Sequence, residues 1–375
     1  MTIGGRGRRW PALAAVVVCF LAACIAMGFI ATEHVRSLVF LAAQRPAPTG
    51  AHPVGAAAFS PVGGARVELW YPAKGGCLGL LARAVALLRT VLRPTQAVSC
   101  DAPPAPGLHP LILLLPSWFA ERDVNTFMAA NLASHGFVVA AVDDFVHGPP
   151  LSGGDRIAQL GSLDMTSEEA FATSRAVSRR RAVLGARAAT ATIDAVIAHP
   201  TLGPRIDADR VGVLGYSFGG SIAAAMSRET GRLRAVVNLD GDVVATEAWP
   251  PTVPYLFLTS DLPYPSAADL ASDDRAFRFE SITTRDTYDL HERPDFPRNG
   301  LALSVKEAVH ADFSDRLVMP PFRDFLKPRP IDRKQMWHDI NGLIVSFLSA
   351  HLGTMDGTIG QSDALSGRFV KLPSP

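Results

Sequence analysis

Gly215-Tyr216-Ser217-Phe218-Gly219-Gly220 constrains this chain more than any other stretch. The apolar run Arg210-Val211-Gly212-Val213-Leu214 leads into it, and Ser221-Ile222-Ala223-Ala224-Ala225-Met226 follows. This pattern predicts a strand, a sharp turn and a helix. Glycines on both sides let the turn tighten without Cβ clashes, so the Ser217 hydroxyl stands exposed at a helix N-terminus, the arrangement of a nucleophile elbow. The small residues Gly219, Gly220 and Ala223 allow the helix to pack closely on its strand. The position of the motif past mid-chain leaves room downstream for partners.

A serine hydroxyl is a poor nucleophile until a histidine takes its proton, and the histidine needs a carboxylate to fix its tautomer. Behind an elbow of this kind the chain order is Ser, acid, His. Of ten histidines, only His291, His310, His338 and His351 follow Ser217. His310 comes just after the strand candidate Leu301–Val305, where a base belongs. His338 and His351 fall on a terminal helix and His291 in the charged stretch Asp286–Asp295, so all three are expected to be solvated or capping residues. Two acids end strand candidates: Asp240 after Ala235–Leu239, and Asp261 after Leu256–Ser260. Strand pattern does not separate them, and the usual position of the acid after a later strand favours Asp261.

Leu111–Leu115 is too short for a helix and too apolar for an edge, so it reads as a buried parallel strand, as does Phe137–Val142. A helix is expected over 123–134, and a long one from the capping pattern Thr166-Ser167-Glu168-Glu169 to near Pro200. Further strands are expected at Ala65–Tyr71, Arg234–Leu239 and Val253–Thr259, with a final helix at Lys334–Ala350. Strands alternating with helices predict an α/β fold: a doubly wound, mostly parallel sheet flanked by helices. Residues 44–64, rich in Pro, Gly and Ala, read as a linker, 65–352 as one catalytic domain and 353–375 as a flexible tail. Leu81, Val85, Leu88 and Leu92 suit an amphipathic helix, with Arg83, Arg89 and Arg93 alongside. Gly148–Gly154 reads as a mobile loop, not a phosphate cradle, because no Gly-Lys-Ser/Thr follows.

A net charge of +1 on 375 residues gives no case for nucleic acid as a partner. No His/Cys cluster has metal-ligand spacing, and neither metal nor organic cofactor is expected. Arg6, Arg8 and Arg9 precede an uncharged apolar run from Pro11 to Thr32, long enough for the about 20 residues that span a bilayer. Residues 1–43 are therefore expected to be a signal-anchor or signal segment, placing the rest outside the cytoplasm, in a bacterial periplasm or cell envelope. Leu21-Ala22-Ala23-Cys24 resembles a lipobox, so lipidation at Cys24, ordinary cleavage and a retained anchor stay open. Cys77 and Cys100 are left as a candidate disulfide pair.

Ala133-Ser134-His135-Gly136-Phe137-Val138-Val139-Ala140-Ala141-Val142, the elbow, Asn238-Leu239-Asp240 and Val309-His310-Ala311-Asp312-Phe313-Ser314-Asp315 stand in this order along the chain. Together they resemble the platelet-activating factor acetylhydrolase family of α/β-hydrolases, which has dienelactone-hydrolase-like relatives. The resemblance runs from about residue 65 to 350 and implies Asp240 as the acid, with Asp261 its rival. It implies an oxyanion hole from the backbone N–H groups of Phe218 and Trp118. The chain departs from that family here, with Leu115-Pro116-Ser117-Trp118 where the family has Ser-His-Gly-Leu. Trp118 would also wall the acyl pocket and favour short chains. The implied activity is a serine esterase acting on phospholipids with a short or oxidised sn-2 acyl chain. A broad esterase of the dienelactone-hydrolase or cutinase kind is the alternative, and a catalytically dead binding protein the remaining one. His135 is expected to cap its helix, Asp143 and Asp144 to bind loop backbone, and Arg175, Arg179, Arg180, Arg181 and Arg187 to form a solvated helix face.

Overall fold

The structure is a computed structural model that describes residues 47–61, 66–75, 102–118, 120–143, 163–229, 231–243, 250–315, 331–353 and 367–374. The N-terminal segment with Cys24, the Cys77–Cys100 pair and its helical insert, Asp144 and the Gly148–Gly154 loop lie outside these residues. Among the described residues nine strands form one sheet: β1 (Val54–Phe59), β2 (Val67–Pro72), β3 (His109–Leu115), β4 (Val138–Val142), β5 (Ile206–Tyr216), β6 (Leu233–Leu239), β7 (Tyr255–Thr259), β8 (Leu301–Val305) and β9 (Phe369–Lys371). Their order is β1-β2-β4-β3-β5-β6-β7-β8-β9. From β4 to β8 every pairing is parallel, while β1, β2 and β9 run antiparallel to their neighbours.

The central strands carry buried apolar runs because both faces are covered. Ile112 and Leu114 of β3 join one core with Phe127 and Met128 of α1 (Thr126–Ser134) and with Trp337, Ile344 and Phe347 of α6 (Arg333–Leu352). Leu111, Leu113 and Leu115 point the other way, into a second core with Ala182, Ala186 and Ile193 of α2 (Glu168–Ile197) and Ile222 and Met226 of α3 (Phe218–Glu229). A short α4 (Ala267–Leu270) and then α5 (Arg275–His291) follow β7, and Tyr288 of α5 belongs to the second core. The long α2 starts one residue later than the sequence suggests: Ser167, not Thr166, is the N-cap, its side chain accepting from the Ala170 N–H at 3.0 Å. The fold is that of an α/β-hydrolase.

Two boundaries change. The expected linker 44–64 contains β1, whose Gly55, Ala56 and Ala57 lie opposite Tyr71, Trp70 and Leu69. Small residues that suggest a linker by composition here let an edge strand lie against bulky neighbours; a Cβ on Gly55 would sit 2.4 Å from the Tyr71 ring. The expected flexible tail contains β9, which pairs with β8 and buries Phe369, and Leu372 just after it is buried too. Among the described residues no helix is long and apolar enough to cross a membrane.

His291 also departs from expectation. It is buried at the end of α5, its ring stacked on Phe257 at 4.0 Å, and Nδ1 lies 2.7 Å from the Thr287 carbonyl. Hydrophilic neighbours in sequence hid a residue on the helix face that packs on the sheet. Burial pushes its pKa down to about 3, against a small opposing effect of the Thr287 hydrogen bond. The folded chain therefore holds a neutral imidazole that the unfolded chain would protonate below about pH 6.5, so its contribution is intact above that pH and lost as pH falls toward 3. Between pH 7 and pH 5 this loss amounts to about 2 kcal/mol. Urea unfolding at the two pH values should show it, and His291→Phe should shrink the difference by about that amount.

Candidate active site

The site lies at the carboxyl ends of β5 to β8, where open parallel sheets hold their ligands. At the end of β5 the chain turns through Ser217 with φ of 56°, a left-handed conformation unusual for a side-chain-bearing residue. Two close approaches require glycine there. A Cβ on Gly215 would stand 2.0 Å from the Gly219 oxygen, and one on Gly219 would stand 2.4 Å from the Leu115 oxygen and 2.5 Å from that of Pro116. The turn is held by the Ser217 N–H, which donates to the Leu239 carbonyl at 2.8 Å.

Asp240 ends β6 in a second left-handed turn, φ 52°. Asn238 shapes that turn: its Oδ1 accepts from the Gly241 N–H at 2.9 Å and its Nδ2 donates to the Gly241 carbonyl at 3.0 Å. His310 opens a short 3-10 helix after β8, His310–Phe313. Its Nε2 lies 3.0 Å from Ser217 Oγ and its Nδ1 2.8 Å from Asp240 Oδ2. A carboxylate only accepts, so Nδ1–H donates to Asp240 and the serine hydroxyl donates to Nε2. The structure thus brings Ser217, His310 and Asp240 into one hydrogen-bonded chain.

Three contacts had no clear signal in the sequence. Thr259 Oγ1 donates to Asp240 Oδ1 at 2.6 Å, joined there by the Ser260 N–H at 2.8 Å, and Ser260 Oγ donates to Oδ2 at 2.5 Å. With His310 these occupy the acceptor capacity of the carboxylate. Burial is the largest single influence on Asp240 and raises its pKa. The hydrogen bond and charge of His310 with the two hydroxyls outweigh it, so the group stays below the ordinary carboxylate value and ionised. Tyr216, fully buried, stacks on the His310 ring at 5.0 Å and donates its hydroxyl to the His310 carbonyl at 3.0 Å. Its place before the serine was the only hint.

Asp261 does not reach His310. Its Oδ2 accepts from the N–H of Glu307, a residue at φ 63°, at 2.8 Å, and its own N–H donates to the Ala308 carbonyl at 3.0 Å. It fastens the turn that precedes the histidine, while Asp240 holds the ring. Trp118, half-buried, stacks on Phe218 with centroids 4.0 Å apart, so the two expected backbone oxyanion donors belong to residues whose side chains are in contact. His338 and His351 lie on α6, and His135 is the C-cap of α1. Asp143 accepts from the Arg122 backbone N–H at 3.0 Å and from the guanidinium groups of Arg122 and Arg66. Of the arginines, Arg180 and Arg187 are exposed and Arg175 pairs with Asp286 at 2.9 Å, but Arg181 is buried, against expectation. Among the described residues no three His, Cys, Asp or Glu side chains gather to hold a metal.

Fold and site together define an α/β-hydrolase with a Ser-His-Asp constellation. More particularly, the chain belongs to the dienelactone hydrolase family, which matches residues 97–284, a range that includes Ser217 and Asp240 and ends before His310. Among solved structures it is similar to a ferulic acid esterase from Streptomyces cinnamoneus at 22% identity and a TM-score of 0.56, over 83% of this chain and 93% of that one. At that identity the likeness is one of fold. A comparison with curated proteins finds no match.

Gly219→Ala should destabilise the protein by about 2 kcal/mol or more, because its Cβ meets backbone oxygens that cannot move aside. Gly342→Ala, in the interior of α6 with nothing within 4 Å, should stabilise it by about 0.5–1 kcal/mol. Thermal and urea unfolding of the two variants checks both signs.

Proposed function

We propose that the protein is a serine esterase that cleaves carboxylic esters through an acyl-enzyme. The observation that carries this reading is the chain Ser217 Oγ, His310 Nε2, His310 Nδ1, Asp240 Oδ2, linked at 3.0 and 2.8 Å. Ser217 Oγ attacks the ester carbonyl as His310 takes its proton, and ionised Asp240 stabilises the resulting imidazolium. The oxyanion of the tetrahedral intermediate accepts the N–H groups of Phe218 and Trp118. His310 then protonates the leaving alcohol, and a water attacks the acyl-enzyme by the same route. None of these steps uses a metal or organic cofactor.

For substrate, we favour esters with short acyl chains, foremost phospholipids whose sn-2 chain is short or oxidised. Three things support this: the resemblance in the four motifs, Trp118 at the oxyanion loop, and the exposed apolar side chains Leu262 and Val309. Leu262 follows Asp261 and Val309 precedes His310, so lipid would meet apolar surface beside the base. The apolar N-terminal segment, in this reading, anchors or exports the enzyme so that it works at the cell envelope. The dienelactone hydrolase family match favours a second reading, a broad esterase for small or polymeric esters.

Hydrolysis of a short-acyl sn-2 phospholipid beside p-nitrophenyl acetate and butyrate separates them. Turnover of the phospholipid supports the first; turnover of the simple esters alone supports the second. Ser217→Ala and His310→Ala should each lower kcat by about a thousandfold or more, whereas Asp261→Ala should stay within about tenfold of wild type. EDTA should change nothing. A fluorophosphonate that fails to label Ser217 in folded protein would show the hydrolase reading to be wrong.

A further inference from the structure

Arg181 is a buried arginine, 4% exposed, on a helix whose other arginines reach solvent or a surface acid. Its guanidinium carbon lies 4.4 Å from the centre of the Trp118 ring and 5.9 Å from that of Phe218. Trp118 and Phe218 are themselves stacked, their planes only 21° apart. A cation therefore lies against an aromatic pair, and the backbone N–H groups of that pair are the oxyanion donors in the reading above.

The packing of two helices puts it there. A Cβ on Gly185 would come within 2.8 Å of Ile222 Cδ1, so the missing side chain lets α2 press against α3. Arg181 lies one turn before Gly185, and Phe218 one turn before Ile222. Both pairs are four residues apart and share a helix face. The contact at Gly185 and Ile222 therefore brings the guanidinium toward Phe218, and it lies most closely over Trp118, the ring stacked on Phe218. Trp118 follows Ser117, which stands where the resembling family has its glycine, on the loop whose Leu115 and Pro116 oxygens Gly219 closely approaches.

We propose that Arg181 is the positioning residue of the oxyanion loop. Through cation–π contact it holds the Trp118 ring against Phe218, keeping both backbone donors aimed at the intermediate in a chain that lacks the family's glycine. The contact strengthens when water is excluded, as it is at this depth. The role rests on the esterase reading, and it affects the intermediate rather than bound ester, so it predicts an effect on kcat and not on KM.

The test uses the full-length chain, with p-nitrophenyl butyrate as substrate. Arg181→Met should lower kcat about 10- to 50-fold with KM within about twofold, and Arg181→Lys, which keeps a cation, should recover part of the loss. Trp118→Ala should cost a similar amount, and the double variant should be no worse than the poorer single one. An unchanged kcat in Arg181→Met, a change confined to KM, or losses that multiply in the double variant would overturn the proposal. If wild type turns over no ester, the esterase reading fails by itself and near-ultraviolet circular dichroism decides the rest. The band lost in Trp118→Phe should also be lost in Arg181→Met and kept in Arg181→Lys, and its persistence in Arg181→Met would refute the contact as a positioning device.

Discussion

Two side-chain-bearing residues with positive φ, Ser217 and Asp240, sit at the ends of adjacent parallel strands, and each turn is held by the next strand. The Ser217 N–H donates to the Leu239 carbonyl, and the Asp240 N–H donates to the Leu258 carbonyl at 2.7 Å. Such a conformation costs about 1–2 kcal/mol for an L residue, so it persists only where its surroundings leave no alternative. Here they leave none. A Cβ on Gly241 would lie 2.3 Å from the Ser217 oxygen, and one on Gly220 would lie 1.9 Å from Asn238 Oδ1, so the two turns are packed into each other. The nucleophile and the acid are thus parts of one strained unit, and the sheet register sets the distance between them.

A buried carboxylate is costly unless its oxygens are filled. Asp240 meets that condition through residues of β7 and its exit, Thr259 and Ser260, and through His310 after β8. Each successive strand supplies something to the residue ending the strand before it. That arrangement explains why Asp240 and not Asp261 is the acid. The end of β7 already points its hydroxyls back at Asp240, and Asp261, one residue further, is turned to the Glu307 N–H.

Much of this was legible because the central strands are short apolar runs and the elbow has a backbone requirement that only glycine satisfies. Ser217 and His310 followed from chain order, and Asp240 from resemblance rather than from strand pattern. What sequence did not carry was orientation and edges. His291 lies among charges in sequence, yet one helix face turns it onto Phe257. Arg181 shares a basic run with Arg179 and Arg180, yet it alone of the three lies on the buried helix face that carries Gly185, which meets Ile222. The edge strands β1 and β9 lack apolar runs because they pack against the sheet with one face or a few side chains, so composition made them a linker and a tail.

The histidine loop shows the same logic across greater sequence separation. Asp312, fully buried, accepts from the Val309 N–H at 2.8 Å and from Arg333 Nε at 3.2 Å, while Trp337 Nε1 donates to its carbonyl at 2.6 Å. Asp315, also fully buried, accepts from the Thr126 N–H at 3.0 Å and donates its own N–H to the Val124 carbonyl at 2.7 Å, and Asn125 Nδ2 donates to the Phe313 carbonyl. Residues 124–126 end the segment that begins with Pro116 and Trp118. The loop that carries His310 is therefore fastened to the far end of the loop expected to supply the Trp118 donor, and Tyr216, next to the nucleophile, holds the His310 carbonyl. The His310 carbonyl and the segments on either side of the loop are thus held by bonds that do not involve Ser217 Oγ or His310 Nε2, so these two atoms can exchange a proton without disturbing those ties.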